Sequence, residues 1–208
     1  MQQQCLLREP SPRAANDQRS QSRTSLFIRP VKLIAEEGEF LCIIRDISDS
    51  GISLRSYHEM PAFRTASLQL ETGETFRVDL VWQKDCDAGF RFLDKINVEA
   101  IIAETGAYPK RPLRFFLEAQ VDLYCKGMRH RAQITDLSQQ GARLHSQLTL
   151  SLGELVRIEH DFFPPIVAKV CWRKGEEHGL IFENRFSMKE LAAVAARFQR
   201  PELLSMRA

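Results

Sequence analysis

The chain has 208 residues, with 29 Lys and Arg against 27 Asp and Glu for a formal net charge of +2, and is 44% hydrophobic and 27% charged. That composition is ordinary for a globular protein and excludes a wholly disordered or collagen-like chain; the near-zero balance argues against a generic nucleic-acid binder, which carries a large positive excess on one face. The surplus is local all the same: residues 1–25 hold Arg8, Arg13, Arg19 and Arg23 against Glu9 and Asp17, and the rest of the chain is balanced.

The opening MQQQCLLREPSPR has no basic region followed by a long apolar run, and no later apolar stretch approaches a membrane span, so a cytoplasmic protein without membrane contact is expected. Residues 1–18 read as a flexible N-terminal segment. An apolar run from Phe40 to Ile44 marks a strand, and Asp46-Ile-Ser-Asp-Ser-Gly51-Ile-Ser-Leu54 follows it, with Ile52 and Leu54 alternating with polar neighbours. Leu68 and Leu70 alternate likewise, Glu71-Thr-Gly-Glu74 supplies a turn, and Phe76, Val78, Leu80 and Trp82 return on every second position, as in a hairpin of half-buried strands. Asp94 to Thr105 carries Ile96, Ala100 and Ile101 at helical spacing and stops at Gly106.

The chain then repeats itself. Asp136-Leu-Ser-Gln-Gln-Gly141-Ala-Arg-Leu144 matches the segment from Asp46 to Leu54 at an offset of 90, and Trp172 and Phe182 match Trp82 and Phe92 at the same offset. Ile166, Ala168, Val170 and Trp172 repeat the alternation, and Ser187 to Gln199 opens on a capping serine and carries Leu191, Val194, Ala195 and Phe198 at helical spacing. Two copies of a module of about 90 residues, 19–106 and 107–200, with a tail over 201–208, account for the pattern. Short antiparallel strands with a closing helix favour small barrels, since closure removes exposed edges. Core packing is the ordinary reading of both tryptophans. The five cysteines, Cys5, Cys42, Cys86, Cys125 and Cys171, are odd in number and scattered, which reads as reduced thiols.

The chemistry-bearing residues cluster around the repeated motif. Arg19-Ser-Gln-Ser-Arg23 precedes the first Asp-x-Ser-x-x-Gly and Lys110-Arg-Pro-Leu-Arg114 precedes the second, at an offset of 91, so a one-residue length difference is expected in the intervening hairpin. A guanidinium forks onto guanine O6 and N7, pairs with phosphate and stacks on a purine, so two arginines four apart can hold a base and a phosphate together. Asp46 and Ser48 supply an acceptor and a donor, and Gly51 lets backbone approach a ligand; equally, Asp and Ser here can serve only a turn's own backbone.

Arg19, Arg23, Asp46, Ser48 and Gly51, with Trp82 and Gly89-Phe-Arg-Phe92, resemble the PilZ family of bacterial modules over residues 19 to 199. The resemblance implies a mainly β fold of two tandem, small, six-stranded antiparallel split barrels, each followed by a short C-terminal helix. It also implies a receptor for the second messenger cyclic di-GMP, with the arginine pair on a leading arm folding over the Asp-x-Ser-x-x-Gly surface, and a role in motility, biofilm or exopolysaccharide control. The second copy, Lys110, Arg114, Asp136, Ser138 and Gly141, departs from the pattern: Lys110 lacks the planar fork, and Pro112 stiffens the segment even if Arg111 substitutes by a one-residue shift. It reads as a weaker second site or, by preference, as a surface for a protein partner or for homodimerisation. No nucleophile and base pair, triphosphate loop or metal spacing emerges, so neither catalysis nor a metal or cofactor is expected, and no DNA or RNA partner. His58, His130, His145, His160 and His178 are dispersed and read as structural, and Lys126, Arg129, His130 and Arg131 as a solvent-facing hairpin tip. A degenerate tandem scaffold that acts through protein contacts alone is the alternative.

Overall fold

The computed structural model describes residues 24–103 and 111–202. The first half contributes β1 (Thr24–Ala35), β2 (Gly38–Ser48), β3 (Gly51–Ser56), β4 (Thr65–Gln69), β5 (Thr75–Lys84), β6 (Asp87–Phe92) and α1 (Val98–Ala103). The second contributes β7 (Phe115–Cys125), β8 (Met128–Leu137), β9 (Gly141–His145), β10 (Leu155–His160), β11 (Phe163–Lys174), β12 (Glu177–Phe182) and α2 (Met188–Gln199). Each set of six strands closes into an antiparallel barrel of the same order, β1-β2-β3-β6-β5-β4 and β7-β8-β9-β12-β11-β10.

The barrels fill themselves from alternate positions. Along β7, Phe115, Leu117, Ala119, Val121, Leu123 and Cys125 point inward. Val31, Leu33, Phe40, Ile44, Leu54, Leu68, Val78 and Phe90 fill the first barrel, each fully buried Leu or Phe contributing roughly 2 kcal/mol. Cys42 lies in the same interior, where burial pushes its thiol pKa upward and makes it inert.

The closing helices are unequal. Ser187 caps α2 with a reciprocal capping box to Glu190, and Leu191, Ala192, Val194 and Ala195 join the core of the second barrel. In the first copy α1 has only six residues and begins four positions after the expected Asp94, at the position equivalent to the start of α2, while Asp94 pairs with Arg77 of β5 at 3.2 Å. Its last carbonyls, those of Ile101 and Ile102, accept from the Arg29 guanidinium. The expected continuation of this helix to Thr105 lies outside the described residues, as do Arg19, Arg23, Lys110, the segment 1–18 and the tail from 203.

The two barrels meet. Leu41 of β2 belongs to the core cluster of the second barrel, Gln199 of α2 accepts from the Glu39 backbone N–H at 2.7 Å, and the Arg111 N–H donates to the Glu71 carbonyl at 3.0 Å. The hairpins β1–β2 and β7–β8 have equal length, Ala35 facing Gly38 and Cys125 facing Met128. The one-residue difference expected in the hairpin lies instead in a bulge. The five residues from Ser25 to Arg29 face three of β2, whereas the four from Phe116 to Ala119 face three of β8, so the offset changes from 90 to 91 just where each leading segment enters its barrel.

Candidate functional site

A second bulge aims the motif. On β2, Ile44 pairs with Leu54 but Asp46 pairs with Ser53, leaving Arg45 as the extra residue. The shift breaks the alternation: Cys42 and Ile44 point inward, then Ile47 does, so Asp46 and Ser48 are carried to the outer surface. Ser48 faces Gly51 across a two-residue turn, and its hydroxyl donates to the Gly51 carbonyl at 3.3 Å. Gly51 is obligatory: a Cβ there would lie 2.7 Å from the Phe90 carbonyl oxygen of β6. Thr24 and Ser25, the first residues of β1, pair in the backbone with Ile47 and Asp46, so the chain enters the barrel alongside the motif.

A third bulge, between Leu80 and Trp82, turns the tryptophan out, so that it lies 48% exposed. Its indole covers Gly89, where an added Cβ would lie 2.0 Å from Nε1. This corrects the core-packing reading of both tryptophans: Trp172 covers Gly179 in the same way and is 42% exposed. The result is a groove on the outer wall of the first barrel, lined by Asp46, Ser48, Gly51, Trp82, Gly89 and Arg91. The sequence signal that could have found Trp82 is its pairing with a glycine seven residues on, repeated in the second copy.

The second barrel builds the corresponding groove from Arg114, Ser138, Gly141, Trp172 and Gly179. The Ser138 hydroxyl donates to the Gly141 carbonyl at 3.0 Å, which is the turn-closing role open from sequence. Across the strand from the acid, the second copy has an arginine in place of a serine. Asp136 is buried, its Oδ1 is paired with Arg114, and its Oδ2 takes Arg143 Nε at 3.2 Å. Arg143, whose guanidinium also lies 5.9 Å from the Trp172 ring centre, has Ser53 as its counterpart in the first copy. No motif signalled it.

The PilZ domain profile matches residues 17–105 and again 110–198. The chain belongs to the PilZ domain family. Among curated proteins none matches it significantly. Solved structures similar to this PilZ chain include PlzA of Borreliella burgdorferi in complex with c-di-GMP, at 14% identity and a TM-score of 0.36, covering 82% of this chain and 87% of that one. They also include the Inhibitor of motility MotI/DgrA of Bacillus subtilis, at 13% and 0.33, covering 88% and 100%. A third is the MrkH complex with c-di-GMP from K. pneumonia, at 14% and 0.31, covering 86% and 88%.

Within this tandem PilZ protein the groove residues called from sequence fall into two groups. Asp46, Ser48 and Gly51 line one groove; Arg114, Ser138 and Gly141 line the other, with Asp136 beneath Arg114. Arg111 goes elsewhere: its N–H is on Glu71 and its side chain lines the cleft between the barrels, so it does not stand in for Lys110 at the second groove. The basic hairpin tip is paired, Arg129 with Asp122 at 2.6 Å and Lys126 with Glu154 at 3.1 Å. A backbone hydrogen bond from Ser151, with those from Cys125 and Lys126, holds the Glu154 carboxyl down to about 2. His178 is fully buried and receives the Leu150 N–H at 3.5 Å, a structural position. Among the described residues no helix is long and apolar enough to cross a membrane.

Proposed function

We propose that the chain is a non-enzymatic receptor for cyclic di-GMP, using no cofactor, whose first module takes the nucleotide between the Arg19 to Arg23 segment and the Asp46, Ser48 and Gly51 groove. The observation that carries the reading is the convergence of these three motif residues on one outer groove beside the entry of β1, in a module of the PilZ family. The chemistry agrees. Asp46 and Ser48 offer an acceptor and a hydroxyl to guanine edges, Gly51 leaves the wall bare, and the exposed indole of Trp82 offers a flat apolar face. The two arginines add forks for base or phosphate. Ligand binding orders the leading segment, at an entropic cost, and shifts the population of inter-barrel arrangements.

The second module is read as a partner-docking unit that takes no nucleotide of its own. Its acid carries the Arg143 guanidinium across the strand, where the first copy has Ser53, and Lys110 lacks the fork of the missing arginine. Calorimetric titration of the full chain with cyclic di-GMP tests both readings. One site per chain is expected, abolished by replacing Arg19 and Arg23 together with Ala. No saturable heat at high micromolar ligand, or unchanged affinity in that variant, would overturn the receptor reading and leave the protein-contact scaffold. Two sites per chain would overturn the reading of the second module alone.

A further inference from the structure

The grooves of the two modules differ at one wall. Thr65, Asp79 and Arg91 lie side by side across β4, β5 and β6, whereas the positions 90 residues on, Leu155, Lys169 and Ile181, lie side by side across β10, β11 and β12. On its other side Arg91 is the cross-strand partner of the motif glycine Gly51, and Ile181 that of Gly141. Phe90 and Phe92 point into the barrel, which sends Arg91 outward, where its side chain is 64% exposed and lines the groove with Asp46, Ser48 and Trp82. Ile181 lines the second groove with 47% of its surface exposed.

Arg91 is steered without being consumed. Its contact to Asp79 Oδ2 is 3.4 Å, beyond the 2.7–2.9 Å of a strong charge-assisted hydrogen bond, and occupies one of five N–H donors. Gly51 has no side chain, so the backbone of β3 opposite Arg91 is bare. An exposed isoleucine at the same place in the second copy offers an anion nothing.

We propose that Arg91 is a ligand-contacting residue of the first groove, giving a barrel-borne guanidinium to a phosphate oxygen of the bound dinucleotide, and that the exchange of Arg91 for Ile181 helps confine anionic ligand to the first module. The proposal rests on the nucleotide reading above and adds a residue beyond the Arg-x-x-x-Arg and Asp-x-Ser-x-x-Gly strings. Asp79 is the positioning residue, holding the fork over the groove.

The test is calorimetric titration of the full chain with cyclic di-GMP at low and high salt, for wild type, Arg91→Ile and Arg91→Lys, alongside thermal melts. Losing one charge-assisted hydrogen bond weakens binding about tenfold or more, so Arg91→Ile binds correspondingly worse at low salt. Its affinity also depends less on salt, since a screened charge pair is gone. Arg91→Lys keeps the salt dependence and loses less. Melting temperatures stay within a degree or so of wild type, as for an exposed residue away from the core. If wild type binds and Arg91→Ile binds equally with the same salt dependence, the role of Arg91 is refuted and the receptor reading stands. An affinity loss shared equally by both variants together with a lowered melting temperature also refutes it, showing a structural residue. If wild type shows no saturable heat, the receptor reading fails and this inference falls with it.

Discussion

Lys32 and Glu39 form an ion pair, Nζ to Oε1 at 3.0 Å, in the seam between the barrels, with 3% and 14% of their side chains exposed. Both partners also hold the second module. Lys32 donates to the Arg114 carbonyl at 2.7 Å and lies 5.2 Å from the Phe116 ring centre, while Glu39 Oε2 accepts the Phe116 N–H at 2.9 Å. A pair from one barrel thus fixes the backbone on which the other carries Arg114, so the second groove is built partly by the first module.

Breaking this pair from one side leaves a buried charge without its counterion. Lys32→Met and Glu39→Gln are each expected to destabilise the protein by about 3 kcal/mol in chemical denaturation, and the double variant by less than the sum. Strict additivity would show that the two side chains do not act as a unit.

Gly89→Ala and Gly179→Ala place a methyl group 2.0 and 1.9 Å from the indole Nε1 of Trp82 and Trp172. Each is expected to cost about 1–3 kcal/mol by overpacking and to swing its tryptophan away from the strand. The Gly89 variant weakens nucleotide binding and the Gly179 variant leaves it unchanged. Melting curves identical to wild type would contradict the packing described.

The two motif acids should answer the same substitution differently. Asp136→Asn removes the charge that Arg114 and Arg143 share in a buried setting and is expected to cost about 2 kcal/mol of stability with no loss of ligand affinity. Asp46→Asn is expected to lower affinity for cyclic di-GMP by tenfold or more. Equal effects on affinity would mean that both grooves take the nucleotide.

Burial lowers the imidazole pKa of His58 and of His178 from 6.5. The folded protein refuses a proton that the unfolded chain accepts, so their stabilisation is fully present above pH 6.5 and drains away as pH falls from there through the lowered folded values. Urea denaturation at about pH 7.5 and about pH 5.5 should show lower stability at the acid value, with a smaller difference in His178→Gln. A midpoint that does not move between the two pH values would contradict neutral burial.

Much of the fold was legible because duplication left identities at a constant spacing: Asp46 and Asp136, Gly51 and Gly141, Trp82 and Trp172. The bulges were not, since one extra residue reverses the inside and outside of everything after it without altering composition. Trp82 therefore continued the inward series of Val78 in the sequence and faces outward in the fold. The bulge in β1 likewise moved the length difference out of the hairpin. Lys32 gave no signal because its acceptor on Arg114 lies 82 residues on. Arg143 escaped because a motif names the residues that bind and not those that occupy the acid in their place.

The stacking of each indole on its glycine gives the molecule a built-in optical readout. The chain has two tryptophans, and each belongs to the wall of one groove, half in solvent and half against a strand. Replacing Trp172 with Phe leaves emission from the first groove alone, and replacing Trp82 leaves the second, so the surroundings of each groove can be followed separately in the unlabelled protein.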